Sequence, residues 1–218
     1  MKFEYNEQRY ERELKGFYKT GCFEIYLKGN FNQDLSLMTT EDLGTFLHEY
    51  VHFLQNISTP WGIHTAIVRN NDLCDFVHSM EDKDVIHIPY HFKPSDEQLL
   101  KRKWLQCSMG TGHLRFSFDE DAPTGYRYEY VEGFPTSMHR VFFSVKSTSG
   151  ESREIEIGAT IIKESMAAMY QSLIDPNSSH PDVPYNVIQF WCKKHFPNIA
   201  DDVKKLICLC YISLFSLD

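Results

Sequence analysis

The sequence predicts an α+β fold, in which helices carry a polar cluster and short strands form a small antiparallel sheet. Residues 40–57 show a nearly continuous helical pattern that begins at a threonine cap. Residues 3–30 and 114–146 alternate apolar and polar side chains between breaks at Gly, Pro and Asp, so we expect their strands to share one sheet. The chain has 218 residues and no internal repeat, which suits a single domain over 1–218.

The remaining elements follow from the same signals of periodicity and capping. Helices are expected at about 62–80, 95–107, 157–173, 185–195 and 200–215, and strands at 114–118, 126–131 and 140–146. A β-rich insert is therefore predicted over about 81–150. The last helix is unusually apolar for a chain end, so it either docks into the core or the chain is a fragment of a longer protein. An exposed helix of this kind would also offer a surface to a protein partner.

Composition argues against several functional classes. The net charge is −8 and the longest basic run is the three residues 101–103, so no nucleic-acid binding is expected. No apolar stretch is long enough for a membrane span, and the charged start of the chain lacks the apolar segment of a signal peptide. The six cysteines form no C-x-x-C pair and are expected to be reduced and mostly buried. Together these features predict a cytoplasmic location.

One short stretch, His48-Glu49-Tyr50-Val51-His52, has the pattern H-E-x-x-H. Residues four apart lie one above the other on a helix, so both imidazoles can face one zinc ion. Glu49 would lie beside that ion, where it could take a proton from water as a general base. Apolar neighbours predict that the helix is buried, and buried imidazoles and carboxylates are costly unless a metal satisfies them. The alternative is a pair of core histidines bonded to backbone carbonyls, with Glu49 paired to an arginine.

A catalytic zinc usually takes a third protein ligand and leaves one position for water. The glycine and histidine that continue the motif in metzincins are absent here. Glu164 is the best candidate, because it lies on a predicted apolar helix where Ala167 and Ala168 would permit close approach of a partner helix. The alternative places Glu164 in solvent beside Lys163. The other candidates for the third ligand are His64, Asp72, His78, His113 and His139.

The motif at 48–52, together with Glu164-Ser165-Met166-Ala167, resembles the gluzincin type of zinc peptidase, and residues 47–55 are also similar to uncharacterised bacterial HExxH proteins. The resemblance implies a zincin-like fold, with the HExxH helix packed on a second metal-bearing helix. It also implies Zn²⁺ held by His48, His52 and Glu164, and a peptide or protein substrate. The chain departs from compact gluzincins because Glu164 follows His52 by 112 positions and because Ala168 stands where some relatives have an aspartate that orients a histidine.

Two supporting roles stay open at this stage. The acceptor that orients a zinc-bound histidine could be Glu41, Asp72, Asp75 or a backbone carbonyl. The donor to the developing oxyanion could come from Tyr126, Tyr128, Tyr130, Tyr170, His113, His139 or Arg140.

The sequence thus predicts a zinc-dependent hydrolase, most simply a peptidase, with the β-rich insert as one wall of its cleft. An edge strand of that insert could pair with an extended peptide. One alternative function is a zinc-stabilised or metal-free interaction module in a larger assembly. Another keeps the zinc and takes a non-peptide amide or ester as substrate.

Overall fold

The computed structural model describes residues 15–20, 23–28, 31–81, 83–85, 87, 90–112, 114–118, 125–132 and 138–216. Its longer helices are α1 (Thr40–Ser58), α2 (Pro60–Glu81), α3 (Asp96–Met109), α4 (Ala159–Ile174), α5 (Val187–His195) and α6 (Val203–Ser213). Its strands are β1 (Gly16–Lys19), β2 (Glu24–Leu27), β3 (Gly125–Val131), β4 (Met138–Lys146) and β5 (Ser152–Ile157). Single helical turns lie at Leu35–Leu37, Asp182–Tyr185 and Pro197–Ala200. Helices combined with small antiparallel sheets confirm the α+β class.

The strands form two separate antiparallel sheets in the described part of the chain. β1 and β2 make a hairpin, while β3, β4 and β5 make a three-stranded sheet. The prediction that the N-terminal strands join the 114–146 region is therefore wrong for these residues, and residues 3–14 of that prediction lie outside the described ranges. Residues 114–118 form only isolated bridges, from Phe116 to Val183 and from Phe118 to Ser147.

The third strand of the larger sheet, β5, occupies a stretch that the sequence patterns did not assign. The helix predicted from residue 157 begins instead at Ala159, because Ile157 pairs with Val141 as the last residue of β5. Gly158 separates the two elements. An added Cβ at Gly158 would lie only 2.5 Å from the backbone nitrogen of Gly110, so this junction depends on a close approach by a distant part of the chain.

Helix α1 begins and ends where its local sequence predicts. The Thr39 side chain accepts a hydrogen bond from the backbone N–H of Asp42, and Glu41 and Asp42 place negative charge at the positive end of the helix dipole. The buried face, however, is not the apolar one. Tyr50 is 37% exposed and Leu54 39%, whereas the buried side is largely polar and includes His48, Glu49, His52, Gln55 and Asn56.

The polar side of α1 packs against α4, which runs through the main core. Ala167 and Ala168 are buried on α4, as expected for a helix that others approach closely. Gly44 of α1 permits a second close contact, since a Cβ there would lie 3.1 Å from the Cβ of Asp175. The pair α1 and α4 is the frame on which the polar cluster is built.

Helix α6 docks into the core, which was the first of the two explanations for its apolar sequence. Its buried side chains are Leu206, Ile207 and Cys210, followed by Leu214 at the helix end, whereas Ile212 is 66% exposed. Within the described residues, no helix combines the length and the apolar character that a bilayer crossing needs.

The described cysteines are all free thiols, but the prediction that most are buried is wrong. Only Cys192 and Cys210 are buried, while Cys107 is half-buried and Cys74 and Cys208 are exposed. Cys22 lies outside the described residues. The exposed positions follow from helix faces that point away from the core, which sequence hydrophobicity alone does not distinguish.

Candidate metal centre

Three side chains from α1 and α4 converge on one point. His48 Nε2 lies 3.2 Å from His52 Nε2 and 3.3 Å from Glu164 Oε2, and His52 Nε2 lies 3.4 Å from the same oxygen. The two imidazoles come from successive turns of α1, and Glu164 reaches them from the second turn of α4. The structure therefore brings together the three residues that the sequence nominated as metal ligands.

This triangle has the size that a zinc site requires. Donors bound at 2.0–2.1 Å in tetrahedral geometry lie roughly 3.3 Å from one another. The three observed separations, 3.2, 3.3 and 3.4 Å, match that spacing without rearrangement of either helix. Two imidazoles and one carboxylate are also a common ligand set for catalytic zinc, with a fourth position left for water. The residues present thus fit a bound zinc ion.

Glu164 is held as a carboxylate by its neighbours. Burial would raise the pKa of Glu164, but the adjacent His52 and His48 imidazoles more than offset this and keep that pKa well below its ordinary value. Its side chain is 25% exposed and faces the imidazoles. Lys163, next to it, points elsewhere and donates a hydrogen bond to Asn56 Oδ1 at 3.1 Å. The geometry therefore disfavours the alternative in which Glu164 is simply solvated beside Lys163.

Gln55 orients His52, a role that sequence patterns assigned to other residues. Gln55 Oε1 can only accept a hydrogen bond, so the His52 Nδ1–H, 2.9 Å away, must be the donor. The proton of the neutral ring is then on Nδ1, and the Nε2 atom keeps a lone pair that faces the triangle. Gln55 Nε2 in turn donates to the backbone carbonyl of Lys163 at 3.1 Å. A single buried amide thus fixes the histidine tautomer and ties α1 to the turn of α4 that carries Glu164.

The orienting residue was left open among three acidic residues and a backbone carbonyl, and the three acidic residues all bind other partners. Glu41 pairs with Lys15 at 2.5 Å, Asp72 with Arg102 at 2.8 Å, and Asp75 accepts from Gln98. His48 Nδ1 is buried and has no hydrogen-bond partner among the described residues.

Glu49 lies next to the triangle and is itself buried. Burial raises the pKa of Glu49 to about 7, with His48 opposing the rise and Glu164 adding to it. The backbone N–H of Tyr18, in β1, donates a hydrogen bond to the Glu49 carboxylate. The hairpin thus positions this side chain from one side while α1 presents it from the other. A carboxyl group that titrates near neutrality suits a proton carrier.

His48, one corner of the triangle, lines a cleft of about 220 Å³ together with Glu49. Its walls come from α1, the start of β1, the end of α4 and the segment 178–185. The lining residues are Lys15, Gly16, Thr45, His48, Glu49, Arg115, Gln171, Ser178, Ser179, His180, Pro181 and Tyr185. From the predicted insert at 81–150 only Arg115 contributes, so the expectation that its sheet forms a wall is wrong for the described residues.

His180 and Tyr185 form the side of the cleft nearest His48, and sequence reasoning missed both. The His180 ring lies 4.6 Å from the Tyr185 ring and 5.9 Å from the His48 ring, measured between centroids. His180 Nε2 is 3.0 Å from Gln171 Oε1. Burial, and next the neighbouring His48, lower the pKa of His180 to about 4, which keeps this ring neutral at pH 7. The sequence feature that could have pointed to these residues is the polar run directly after α4. That run folds back over α1.

The residues predicted as oxyanion donors lie elsewhere. The β3 tyrosines are half-exposed, and Tyr126 packs on Trp191 with ring centroids 5.5 Å apart. His139 contacts Tyr130, and Arg140 binds Glu156 through a bidentate pair. Tyr170 packs against the core, and His113 lies outside the described residues.

The described alternatives for the third ligand also have other contacts. His64 packs edge-on against Trp104 at 4.5 Å, and His78 Nδ1 lies 2.7 Å from the carbonyl oxygen of Cys74. Among the described residues, the group able to hold a metal ion is His48, His52 and Glu164.

Neither a protein-family model, a curated protein nor a solved structure gives a significant match to the chain. Function is therefore inferred from the chemistry of the site, which is the level at which function resides in any fold. The site offers a three-donor cluster, an adjacent carboxyl group of near-neutral pKa and an open cleft. These are the parts that metal-assisted hydrolysis needs.

Proposed function

We propose that this chain is a zinc-dependent hydrolase of the gluzincin type, with a zincin-like fold and peptides as substrates. The observation that carries the proposal is the donor triangle with 3.2–3.4 Å edges, formed by His48, His52 and Glu164 beside the buried Glu49. Zinc is favoured over magnesium or calcium because two of the three donors are imidazole nitrogens, whereas those ions prefer oxygen ligands.

Bound zinc would lower the pKa of a water molecule and polarise the substrate carbonyl. The residues of the chain supply the rest. Glu49 accepts the proton of the attacking water and returns it to the leaving amine. Tyr18 holds the Glu49 carboxylate through its backbone N–H, and Gln55 keeps the His52 tautomer. Tyr185 lines the same cleft, with its ring centroid 5.9 Å from that of His48, and it is the nearest candidate for the donor to developing negative charge.

A peptide substrate is supported by the outer edge of β1. Lys28 N–H donates to the Lys15 carbonyl at 2.8 Å, which makes this a hydrogen-bonded pair of the antiparallel ladder. Alternation along the ladder then directs the backbone groups of Gly16 and Tyr18 away from β2 and toward α1. The Tyr18 N–H is already bound to Glu49, but Gly16 lines the cleft, so its backbone groups could hydrogen-bond one residue of an extended peptide there.

The test is Glu49→Gln. The amide keeps the size of the side chain but cannot accept the proton, so we expect full zinc content and loss of hydrolysis by about 10²-fold or more. Zinc is measured by elemental mass spectrometry after chelation and reloading, and hydrolysis by mass spectrometry of a peptide library. Glu41→Gln, an exposed change on the same helix, is the matched control and should behave as wild type. Undiminished activity in Glu49→Gln would show that Glu49 is not the general base. A wild-type chain that takes up no zinc would refute the proposal that the protein is a zinc-dependent hydrolase.

The interaction-module alternative has one supporting observation. Leu209, Ile212 and Phe215 remain exposed along α6, although the opposite face of that helix is docked. A module would show a tight hetero-complex and no bound metal, whereas the hydrolase would bind one zinc per chain. Solution mass together with metal analysis separates the two. Assays of the zinc-loaded protein with simple amides and esters address the remaining substrate alternative.

A further inference from the structure

A second pocket adjoins the cleft at the β1–β2 hairpin. It has a volume of about 190 Å³, and its lining comes from the hairpin, the segment 31–38 and the first two turns of α1. We call it the hairpin pocket, and its apolar lining residues are Leu27, Phe31 and Met38. Lys15 and Thr45 line the cleft as well as this pocket, so the two spaces meet at these residues.

Gly16 lies where the cleft meets the hairpin pocket. It lines the cleft, and a Cβ added to it would lie 3.0 Å from the Thr45 methyl carbon and 3.1 Å from Leu27 Cδ2. Thr45 and Leu27 both line the hairpin pocket. A side chain at residue 16 would therefore occupy space between the two, and the glycine leaves that space to a ligand.

Helix α1 sets the distance between the hairpin pocket and the metal triangle. Thr45 precedes His48 by three residues and Glu41 precedes it by seven. Because a helix rises 1.5 Å per residue, the pocket lies about 5–10 Å from His48 along the helix axis. An extended peptide rises about 3.3 Å per residue, so a substrate side chain about two or three residues from the scissile bond reaches the pocket.

The charged residues that line the hairpin pocket give it no preference for an ion of either sign. They are two lysines and two carboxylates, so their formal charges cancel. Lys15 and Glu41 form an ion pair at 2.5 Å, and the Thr39 hydroxyl donates a hydrogen bond to Asp42 at 2.8 Å. Electrostatic recognition of a charged substrate group is therefore not what this pocket offers.

The apolar part of the lining, in contrast, has surface left to cover. Phe31 is 52% exposed, and Leu27 and Met38 are only half-buried. A cavity of about 150 Å³ is enough for a benzene ring. The hairpin pocket, at about 190 Å³, thus accommodates a phenylalanine ring or a leucine or methionine side chain. Removing such a side chain from water is favourable in proportion to the apolar area that it buries.

We propose that the hairpin pocket is a specificity subsite of the cleft, which binds a large apolar side chain about two or three residues from the scissile bond. The substrate backbone hydrogen-bonds Gly16, and the apolar side chain contacts Leu27, Phe31 and Met38. Because the pocket adjoins the cleft, the molecule that fills it is the peptide that the cleft binds. This inference rests on the proposed hydrolase function and names the substrate class for it.

The first experiment is a positional scan with the zinc-loaded protein. In a peptide that the protein cleaves, each position in turn carries phenylalanine, alanine, glutamate or lysine. We expect kcat/KM to be about tenfold higher for phenylalanine than for alanine at one position, about two or three residues from the cleaved bond. Phe31→Ala should abolish this difference. Phe23→Ala should keep it, because Phe23 is equally exposed at 52% but does not line the pocket. A preference for glutamate or lysine at that position would contradict the apolar subsite.

The second experiment measures binding without hydrolysis. The phenylalanine and alanine peptides are titrated by calorimetry into the zinc-loaded Glu49→Gln protein, alone and combined with Phe31→Ala or Phe23→Ala. We expect the Kd of the phenylalanine peptide to be about tenfold lower, except in the Phe31→Ala background, where the two should be equal.

The subsite and the hydrolase fail in different ways. Equal Kd values for the two peptides with Phe31 in place would overturn the subsite and leave the hydrolase standing, since cleavage depends on Glu49 and the metal ligands. A wild-type chain that takes up no zinc and cleaves no peptide would overturn the proposed function, and the subsite with it.

Discussion

Gln55 connects the metal triangle to the packing of α1 on α4, so replacing it tests both. We expect Gln55→Leu to weaken zinc binding by about 10- to 100-fold. Leucine preserves the approximate volume of a side chain that is 1% exposed, but it cannot accept the His52 Nδ1 proton. The histidine then loses the contact that keeps its Nε2 lone pair directed at the metal.

The magnitude follows from the two hydrogen bonds that disappear. The 2.9 Å contact to His52 controls metal affinity, and the expected loss corresponds to about 1.4–2.7 kcal/mol of binding free energy. The 3.1 Å bond to the Lys163 carbonyl contributes to folding. With both bonds lost, the free energy of unfolding of the metal-free protein should fall by about 2 kcal/mol.

The assay is competition for zinc against a chromophoric chelator, with urea unfolding measured in parallel. The matched control is Gln98→Leu, which removes a buried glutamine of α3 that hydrogen-bonds Asp75 and the Ser95 backbone, away from the triangle. It should lose stability and keep zinc affinity. Gln55→Glu retains an acceptor for His52 and should bind zinc within a few-fold of wild type. If Gln55→Leu binds zinc as tightly as the native chain, the orienting role is wrong.

Four further outcomes follow from the structure. Glu164→Gln should weaken zinc binding more than the Gln55 variant does, measured by the same competition. Zinc at a hundredfold excess over its dissociation constant should stabilise the chain by about 2.7 kcal/mol, seen as a higher melting temperature that a chelator reverses. Gly62→Ala should cost about 3 kcal/mol in urea unfolding, because its Cβ would lie 2.4 Å from the carbonyl oxygen of residue 55. Iodoacetamide should label the exposed Cys208 and spare Cys210 in the native protein, since burial raises the pKa of Cys210 to about 12; equal labelling in peptide mass spectra would contradict the packing of α6.

Local signals predicted the elements whose causes are local. The Thr39 cap of α1 and the Ser95 capping box of α3 lie within three residues of the N–H groups that they satisfy, so the sequence displays them directly. Strand pairing, by contrast, depends on residues that are distant in the sequence. β5 pairs with β4 across a short turn, but it was left unassigned, and its last residue, Ile157, was placed in the following helix. Gly158, which separates the two elements, owes its role to the distant Gly110.

Within the site, too, residues related by local spacing could be predicted, whereas residues brought together by packing could not. His48 and His52 could be paired from spacing alone, because one helical turn fixes their relation. Glu164 could be nominated from the small residues beside it, which predicted a closely approached helix. Gln55 could not be nominated from the sequence, because its second hydrogen bond, to the Lys163 carbonyl, depends on the packing of α1 against α4. His180 contacts the site from a segment without regular periodicity, so no pattern pointed to it.

The burial pattern of α1 departs from what helix amphipathicity predicts, because Val51 lies in the core but most of the other buried side chains of this helix are polar. Large apolar residues of this helix, such as Tyr50 and Leu54, remain more than a third exposed while the polar side packs inward. Burying polar groups is unfavourable unless each finds a partner. One turn of α4 supplies several of those partners. The Lys163 carbonyl accepts a hydrogen bond from Gln55, and the Lys163 ammonium group donates one to Asn56. Glu164 contacts the imidazole of His48. A helix chosen for stability alone would turn its apolar side to the core. Such conflicts between local preference and global packing concentrate at functional sites, and on α1 the buried polar side chains include the two histidines of the donor triangle.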